Sequence, residues 1–150
     1  MKDLLAAAND MGVVVSTTRL PDGLLGFYAL DLSRIFIDAR LTPFEMRVVL
    51  AHEIGHAHYG HACDRGATES IRSHEHRADR YAARLLIPPG ELARLESVND
   101  DRHYLADELR VTVDFIDWYR DHFLTKLTGI TYAGAREGIG NWHHCEKHAA

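Results

Sequence analysis

The spacing of hydrophobic residues in the N-terminal part of the chain predicts one helix and three strands. Hydrophobic residues recur at helical spacing over residues 4–11, and Gly12 ends that segment. Three short β-branched or aromatic runs follow at residues 13–15, 24–30 and 34–37, and the last two are close enough in sequence to form a hairpin. Together these runs predict a small antiparallel sheet.

A helix-start signal follows the third run. Thr42 is a good N-cap, Pro43 suits the first helical position, and Glu45 stands three residues after the cap, where its side chain can complete a capping box. The helix is therefore expected to begin at Pro43 and to run to Tyr59, with Gly60 as its stop.

The remainder of the chain is predicted to be mainly helical. Residues 63–73 are mostly polar and indicate a loop. Hydrophobic residues then recur at helical spacing in four segments, at residues 74–87, 91–96, 101–109 and 113–127. Past Gly129 this periodicity fades. We therefore predict one α+β domain over residues 1–128, with the small sheet packed on helices, and a loosely ordered, His-rich tail over residues 129–150.

The composition and net charge limit the kinds of molecule that this chain is expected to bind. A chain of 150 residues is long enough for one domain with a single hydrophobic core. The formal net charge of −5 argues against a general electrostatic attraction to nucleic acid or to an anionic membrane, so a partner would be recognised by shape. The N-terminal segment resembles neither a secretion signal nor a membrane span, and the two cysteines form no disulfide framework. We therefore expect a cytoplasmic protein with free thiols.

The candidate chemistry lies in the segment His52-Glu53-Ile54-Gly55-His56. Residues four apart lie on one face of a helix, so His52 and His56 can direct two imidazole nitrogens at one metal ion. Glu53 stands beside the first of them and can reach a water on that metal, where it would act as the general base. Two ligands, one base and one open coordination position are what a zinc hydrolase needs.

A catalytic zinc site requires a third protein ligand. The extended pattern His-Glu-x-x-His-x-x-Gly-x-x-His does not apply, because Tyr59 and Ala62 stand where it requires Gly and His. His61 is out of register with that pattern, and His58 would face away from the metal on a regular helix. Glu75 provides a carboxylate on the next predicted helix. It is the candidate third ligand that requires no distortion of the helix that carries His52 and His56.

Two motifs of this chain resemble those of the ImmA/IrrE-type metallopeptidases. VVLAHEIGHAHYG at residues 48–60, with Arg47 before it, is similar to the family's R-x-x-x-A-H-E-x-G-H-x. EHRADRYAARLLIP at residues 75–88 is similar to E-x-x-A-[ND]-x-F-A-x-x-L-L-x-P, with Tyr81 in place of the usual Phe. The order of a small sheet, a metal helix and a second helix also resembles that family, over residues 1–127, although the loop between the motifs is short.

This resemblance implies a zincin-like core and a zinc metallopeptidase. It implies His52, His56 and Glu75 as zinc ligands, Glu53 as the general base, and a hydrogen bond from Asp79 to one of the ligands. Family members often act on transcriptional repressors, including those of phages and mobile elements. Cleavage of such a cytosolic repressor is therefore the function that the resemblance implies.

Two functions of other classes stay open. The first is a regulatory module that contains zinc and docks on a repressor without cutting it, although such a module would have no need of Glu53 as a base. The second is a DNA-binding regulator that uses residues 101–127 as a helix-turn-helix. Acidic residues outnumber basic ones on the second of those helices, so direct binding of nucleic acid is not expected. The sequence does not indicate an oligomeric state.

Several further His and Tyr side chains are candidates for minor roles. Residues 142–148 are rich in metal-ligand types, but short His-rich tails usually bind metal adventitiously. Candidate donors to a developing oxyanion, each expected to be a surface residue, are His58, Tyr59, His61, His74 and His76.

Overall fold

The structure is a computed structural model that describes residues 1–61 and 68–124, without the side chains of residues 68–71 and 124. The predicted tail at residues 129–150 and the end of the last predicted helix lie outside the described residues, as do positions 63–67 of the predicted loop. The first half of the chain contains helix α1 (Lys2–Asp10), strands β1 (Val14–Thr18), β2 (Gly26–Ala29) and β3 (Arg34–Asp38), and helix α2 (Pro43–Tyr59). The second half contains helices α3 (Thr68–Leu86), α4 (Glu91–Glu96), α5 (Arg102–Leu109) and α6 (Val113–Trp118), the last followed by a π-helical turn at Tyr119–Leu124.

The three strands form a mixed sheet in the order β1-β3-β2. The predicted α+β class and the β2–β3 hairpin are confirmed, since β2 pairs antiparallel with β3. The prediction of an entirely antiparallel sheet is wrong, because β1 pairs with β3 in parallel, with Val14 opposite Arg34. β1 and β2 run in opposite directions, as strands joined by a turn do, but β3 lies between them and therefore meets β1 in parallel.

Helix α2 has the predicted bounds because its ends are defined by local signals. At its start the Glu45 backbone N–H donates to Thr42 Oγ1 at 3.4 Å, and the Thr42 backbone N–H donates to Glu45 Oε2 at 2.7 Å. At its end Gly60 has the left-handed conformation, with φ of 63°. Every residue from 48 to 55 is buried, because α2 packs against β2 and β3 on one side and α3 on the other.

Helix α3 begins at Thr68, six residues before the predicted start. The prediction of a loop is therefore wrong for residues 68–73. Arg72 and Ser73 are exposed, and residues 68–73 carry no hydrophobic periodicity in their sequence from which the start of the helix could be predicted.

Helices α4 and α5 follow the predicted segments, whereas the helix predicted over residues 113–127 consists of α6 and the π-helical turn as far as Leu124. Thr112 caps α6 by accepting a hydrogen bond from the Phe115 backbone N–H at 3.2 Å. The cap of α5 is Asp101, whose carboxylate accepts hydrogen bonds from the backbone N–H groups of His103 and Tyr104. Among the described residues, no helix has both the length and the apolar character needed to cross a membrane.

Candidate metal centre

Three predicted ligands lie together between α2 and α3. The Nε2 atoms of His52 and His56 are 3.0 Å apart. Oε2 of Glu75 is 3.2 Å from Nε2 of His52, and its Oε1 is 3.4 Å from Nε2 of His56. Within the described part of the chain, this trio is the group of ligand-type side chains whose donor atoms could hold one metal ion.

The donor set fits a zinc ion in chemistry and in spacing. Two imidazole nitrogens and one carboxylate are a ligand set of catalytic zinc sites, and donors at the usual zinc distance of about 2.0–2.1 Å in a tetrahedral arrangement lie roughly 3.3 Å from one another. The observed separations of 3.0, 3.2 and 3.4 Å lie close to that value. The assignment of the three residues as zinc ligands remains a prediction.

A close approach of the two helices brings Glu75 to the histidines. A Cβ atom built on Gly55 would lie only 2.8 Å from Cα and 2.9 Å from the backbone oxygen of Ala78. Position 55 therefore needs a glycine, and Ala78 opposite it is fully buried. Gly55 thus has a packing function inside the histidine motif, which the spacing of the motif alone does not indicate.

Asp79 forms a hydrogen bond with Nδ1 of His52, the ring nitrogen that points away from the other two predicted ligands. Oδ1 of Asp79 is 2.9 Å from Nδ1 of His52, so the imidazole presents Nε2 to the site, as the predicted hydrogen bond requires. Burial lowers the pKa of His52, but the hydrogen bonds of Asp79 and Glu75 outweigh it and raise that pKa to about 10. The carboxylates around His52 therefore favour a positive charge at this point.

Glu53 lies on the side of α2 that faces the sheet. It is buried, and burial raises the pKa of its carboxyl group above the ordinary value, while His56 and His52 oppose that rise. The backbone N–H of Tyr28 on strand β2 hydrogen-bonds to the carboxylate and also opposes it. Successive side chains on a helix point about 100° apart, so Glu53 can lie next to the proposed metal site without being one of the metal ligands.

His61 was expected at the surface, but it is 6 % exposed and lies against His56. Their Nδ1 atoms are 3.2 Å apart, and the ring of His74 stacks on His61 with centroids 3.9 Å apart. Burial lowers the pKa of His61 to about 4, so its imidazole is neutral at physiological pH. His58 is exposed, as expected, and stacks on Tyr81.

A pocket opens beside Glu53, between α2, α3 and α6. Its empty volume is about 370 Å³, including the part open to solvent. Most of the wall is apolar, and the lining residues are Val48, Val49, His52, Glu53, Asp79, Ala82, Phe115 and Trp118. Helix α6 therefore borders the site, which the sequence pattern did not indicate because the contact joins residues that are far apart in the chain.

These features define a class of protein. A buried helix that carries His-Glu-x-x-His, packed on a small sheet and completed by a carboxylate from the following helix, is the site of a metallopeptidase-type domain. The chain matches the family model described as IrrE N-terminal-like domain, Peptidase_M78, over residues 8–118, and it belongs to that family.

Other comparisons bear on the fold alone. A solved structure of a Mycobacterium tuberculosis transcriptional regulator superposes with a TM-score of 0.62 at 18% sequence identity. The match covers 77% of this chain and 39% of that one, so this chain spans about two fifths of the regulator. No match to the chain was found among curated proteins.

Proposed function

We propose that this chain is a zinc-dependent metallopeptidase that hydrolyses a peptide bond in a cytoplasmic protein, a transcriptional repressor of a phage or mobile element. The observation that carries the proposal is the meeting of His52, His56 and Glu75 at one point, with Glu53 next to the first of them along the helix. The family assignment supports a metallopeptidase-type domain.

The chemistry divides between a metal and the side chains of the chain. A zinc ion held by His52, His56 and Glu75 would supply Lewis acidity, which polarises a peptide carbonyl and lowers the pKa of a water molecule toward neutrality. Glu53 would accept the proton of the attacking water and return it to the leaving amine. Burial raises the pKa of Glu53 above its ordinary value, which makes its carboxylate a stronger base.

The pocket beside Glu53 gives the substrate a place next to the reacting groups. Its walls of Val48, Val49 and Ala82 are apolar, so an apolar side chain close to the cleaved bond would fit there. A repressor as the substrate rests on the family resemblance, and the regulator with a similar fold agrees with a role in transcriptional control. The chain's negative charge also favours a protein substrate over direct contact with DNA.

The test compares wild type with Glu53→Gln, using as substrate a repressor encoded beside the gene of this chain. The wild type should contain about one zinc at the proposed site and cut the repressor once the site is filled. Glu53→Gln should keep the zinc and lose roughly 100-fold or more of the rate, because general-base catalysis contributes about 10²–10⁴-fold.

Three outcomes would contradict the proposal in different ways. Absence of zinc from the wild type would refute the site. Equal rates in the two proteins would remove Glu53 as the base. Zinc-loaded wild type that binds the repressor without cutting it would identify the non-cleaving regulatory module instead.

A further inference from the structure

The two histidines of the proposed site each have a partner on their outer nitrogen. The Nε2 atoms of His52 and His56 both point into the proposed metal site, where they are 3.0 Å apart. The outer Nδ1 of His52 contacts Asp79 at 2.9 Å, whereas the outer Nδ1 of His56 contacts Nδ1 of His61 at 3.2 Å. Such outer partners fix the tautomer and the ring orientation of a metal-binding histidine.

We infer that His61 is a positioning residue for His56, an inference that rests on the proposed zinc site. A metal on Nε2 of His56 requires the proton of that ring to be on Nδ1. Nδ1 of His56 then donates to Nδ1 of His61, which accepts as a neutral imidazole. His61 thereby holds the ring plane of His56 and does for the second ligand what Asp79 does for the first.

The local sequence produces this contact through the end of helix α2. The Gly60 backbone N–H donates to the Ala57 carbonyl at 3.1 Å, and the His61 N–H donates to the His56 carbonyl at 2.9 Å. These two bonds, with Gly60 in the left-handed conformation, form a Schellman motif. This motif brings the second residue after the helix back over the last turn, which places His61 against His56.

The surroundings of His61 are those of a fixed side chain. It is 6 % exposed, and the His74 ring covers it at an interplanar angle of 15°. With Nδ1 as acceptor, its proton is on Nε2, the nitrogen that is buried and has no hydrogen-bond partner among the described residues. The contact through the outer nitrogen of His56 also places His61 behind that ring, away from the point where Nε2 of His56 meets Glu75.

The test uses two substitutions that separate the hydrogen bond from the packing. His61→Phe keeps a ring that can stack on His74 but removes the acceptor. His61→Asn loses the ring but places an amide oxygen near the former Nδ1. His58→Ala is the matched control, because His58 is an exposed histidine of the same helix end whose ring stacks on Tyr81.

Zinc affinity is measured by chelator competition on full-length chains, so that the His-rich C-terminal segment contributes equally to every variant. We expect His61→Phe to bind zinc roughly 10–100-fold more weakly, the usual effect of losing an outer partner. His61→Asn should recover most of the affinity, and His58→Ala should equal wild type. In zinc-loaded protein, the Nδ1–H resonance of His56 should be visible by NMR in wild type and in His61→Asn, and lost to solvent exchange in His61→Phe.

Gly60→Ala provides a second route that leaves His61 unchanged. A Cβ atom at Gly60 meets nothing within 4 Å, so this substitution strains only the left-handed backbone that turns His61 back. It should also weaken zinc binding, whereas Gly60→Asn, which tolerates that conformation, should weaken it less.

The results distinguish failure of this inference from failure of the proposed function. Wild type without zinc would refute the site itself. With zinc present in wild type, unchanged affinity in His61→Phe would overturn the positioning role. Equal losses in His61→Phe and His61→Asn, with an unchanged His56 resonance, would also overturn it, because they would assign His61 to packing alone.

Discussion

Replacing Gly55 by Ala would insert a methyl group into the contact between α2 and α3. The new Cβ atom would lie 2.8 Å from Cα of Ala78, and backbone atoms cannot turn aside as the end of a side chain can. To reach the 3.4 Å of an ordinary contact the helices would separate by about 0.6 Å, some three times the tolerance of about 0.2 Å on metal–ligand distances. Because Glu75 lies one turn before Ala78 on α3, its carboxylate would move away from His52 and His56.

The expected result is a loss of zinc affinity of at least about 10-fold, together with overpacking that costs roughly 1–3 kcal/mol of unfolding free energy. Chelator competition measures the first effect and urea unfolding of the metal-free protein the second. Gly26→Ala is the matched control, because its Cβ would lie 2.7 Å from Cγ1 of Val49, on the sheet side of α2. It should destabilise the fold without moving Glu75, because the short, β-branched side chain of buried Val49 has little freedom to turn aside.

Two results would refute this reasoning. Wild-type zinc affinity in Gly55→Ala would mean that the close approach of the helices is not what positions Glu75. Equal losses of affinity in Gly55→Ala and Gly26→Ala, measured at a temperature where both are folded, would mean that the loss follows general destabilisation.

Three further predictions concern single side chains. Glu75→Ala should abolish tight zinc binding while His58→Ala leaves it unchanged, and a chelator titration in which both bind alike would remove Glu75 from the ligand set. Asp79→Asn, which keeps the shape but removes the charge next to His52, should weaken zinc binding roughly 10–100-fold in the same titration. Hydrogen bonds from Arg40 lower the pKa of Asp38 from 3.8 to about 2, so this pair stabilises the folded state above pH 3.8 and loses that contribution as the pH falls toward 2. The stability difference between wild type and Asp38→Asn, followed by urea unfolding, should therefore shrink across that pH range, and a constant difference would contradict it.

The sequence predicts a structural feature accurately where the residues that determine that feature lie close together in the chain. Helix α2 was predicted from Pro43 to Tyr59 because a capping box and a left-handed Gly define its ends within a few residues. The order of the strands was not predicted, since the hydrophobic pattern cannot show that β3 lies between β1 and β2. The start of α3 was missed for a related reason: its first turns are polar and give no periodicity.

The residues of the proposed metal site also differ in how far the local sequence predicts their positions. The meeting of Glu75 with the histidines was anticipated from two linked motifs. His61 was considered only as a ligand or a surface residue, because the regular spacing of a helix says nothing about residues beyond its end. The sequence did contain the signal: a Gly four residues after His56 predicts a Schellman motif, and that motif returns the next residue to the last turn.

Within the histidine motif, neighbouring positions face different layers of the fold. His52 and Gly55 face α3, whereas Glu53 and Val49, four residues before it, face strand β2. Widening the α2–α3 contact should therefore affect the proposed metal ligands, and widening the contact between α2 and the sheet should affect the base.

Gly26→Ala tests the second part of this argument. Because its Cβ would press on Val49, α2 should move away from β2, and the Glu53 carboxylate should move away from the Tyr28 N–H. Hydrolysis by the zinc-loaded variant should fall, by about 10-fold if a misplaced base loses part of its 10²–10⁴-fold contribution, while zinc affinity stays at the wild-type value. Parallel losses of rate and affinity would contradict the argument, because they would show that the two faces of α2 do not act separately.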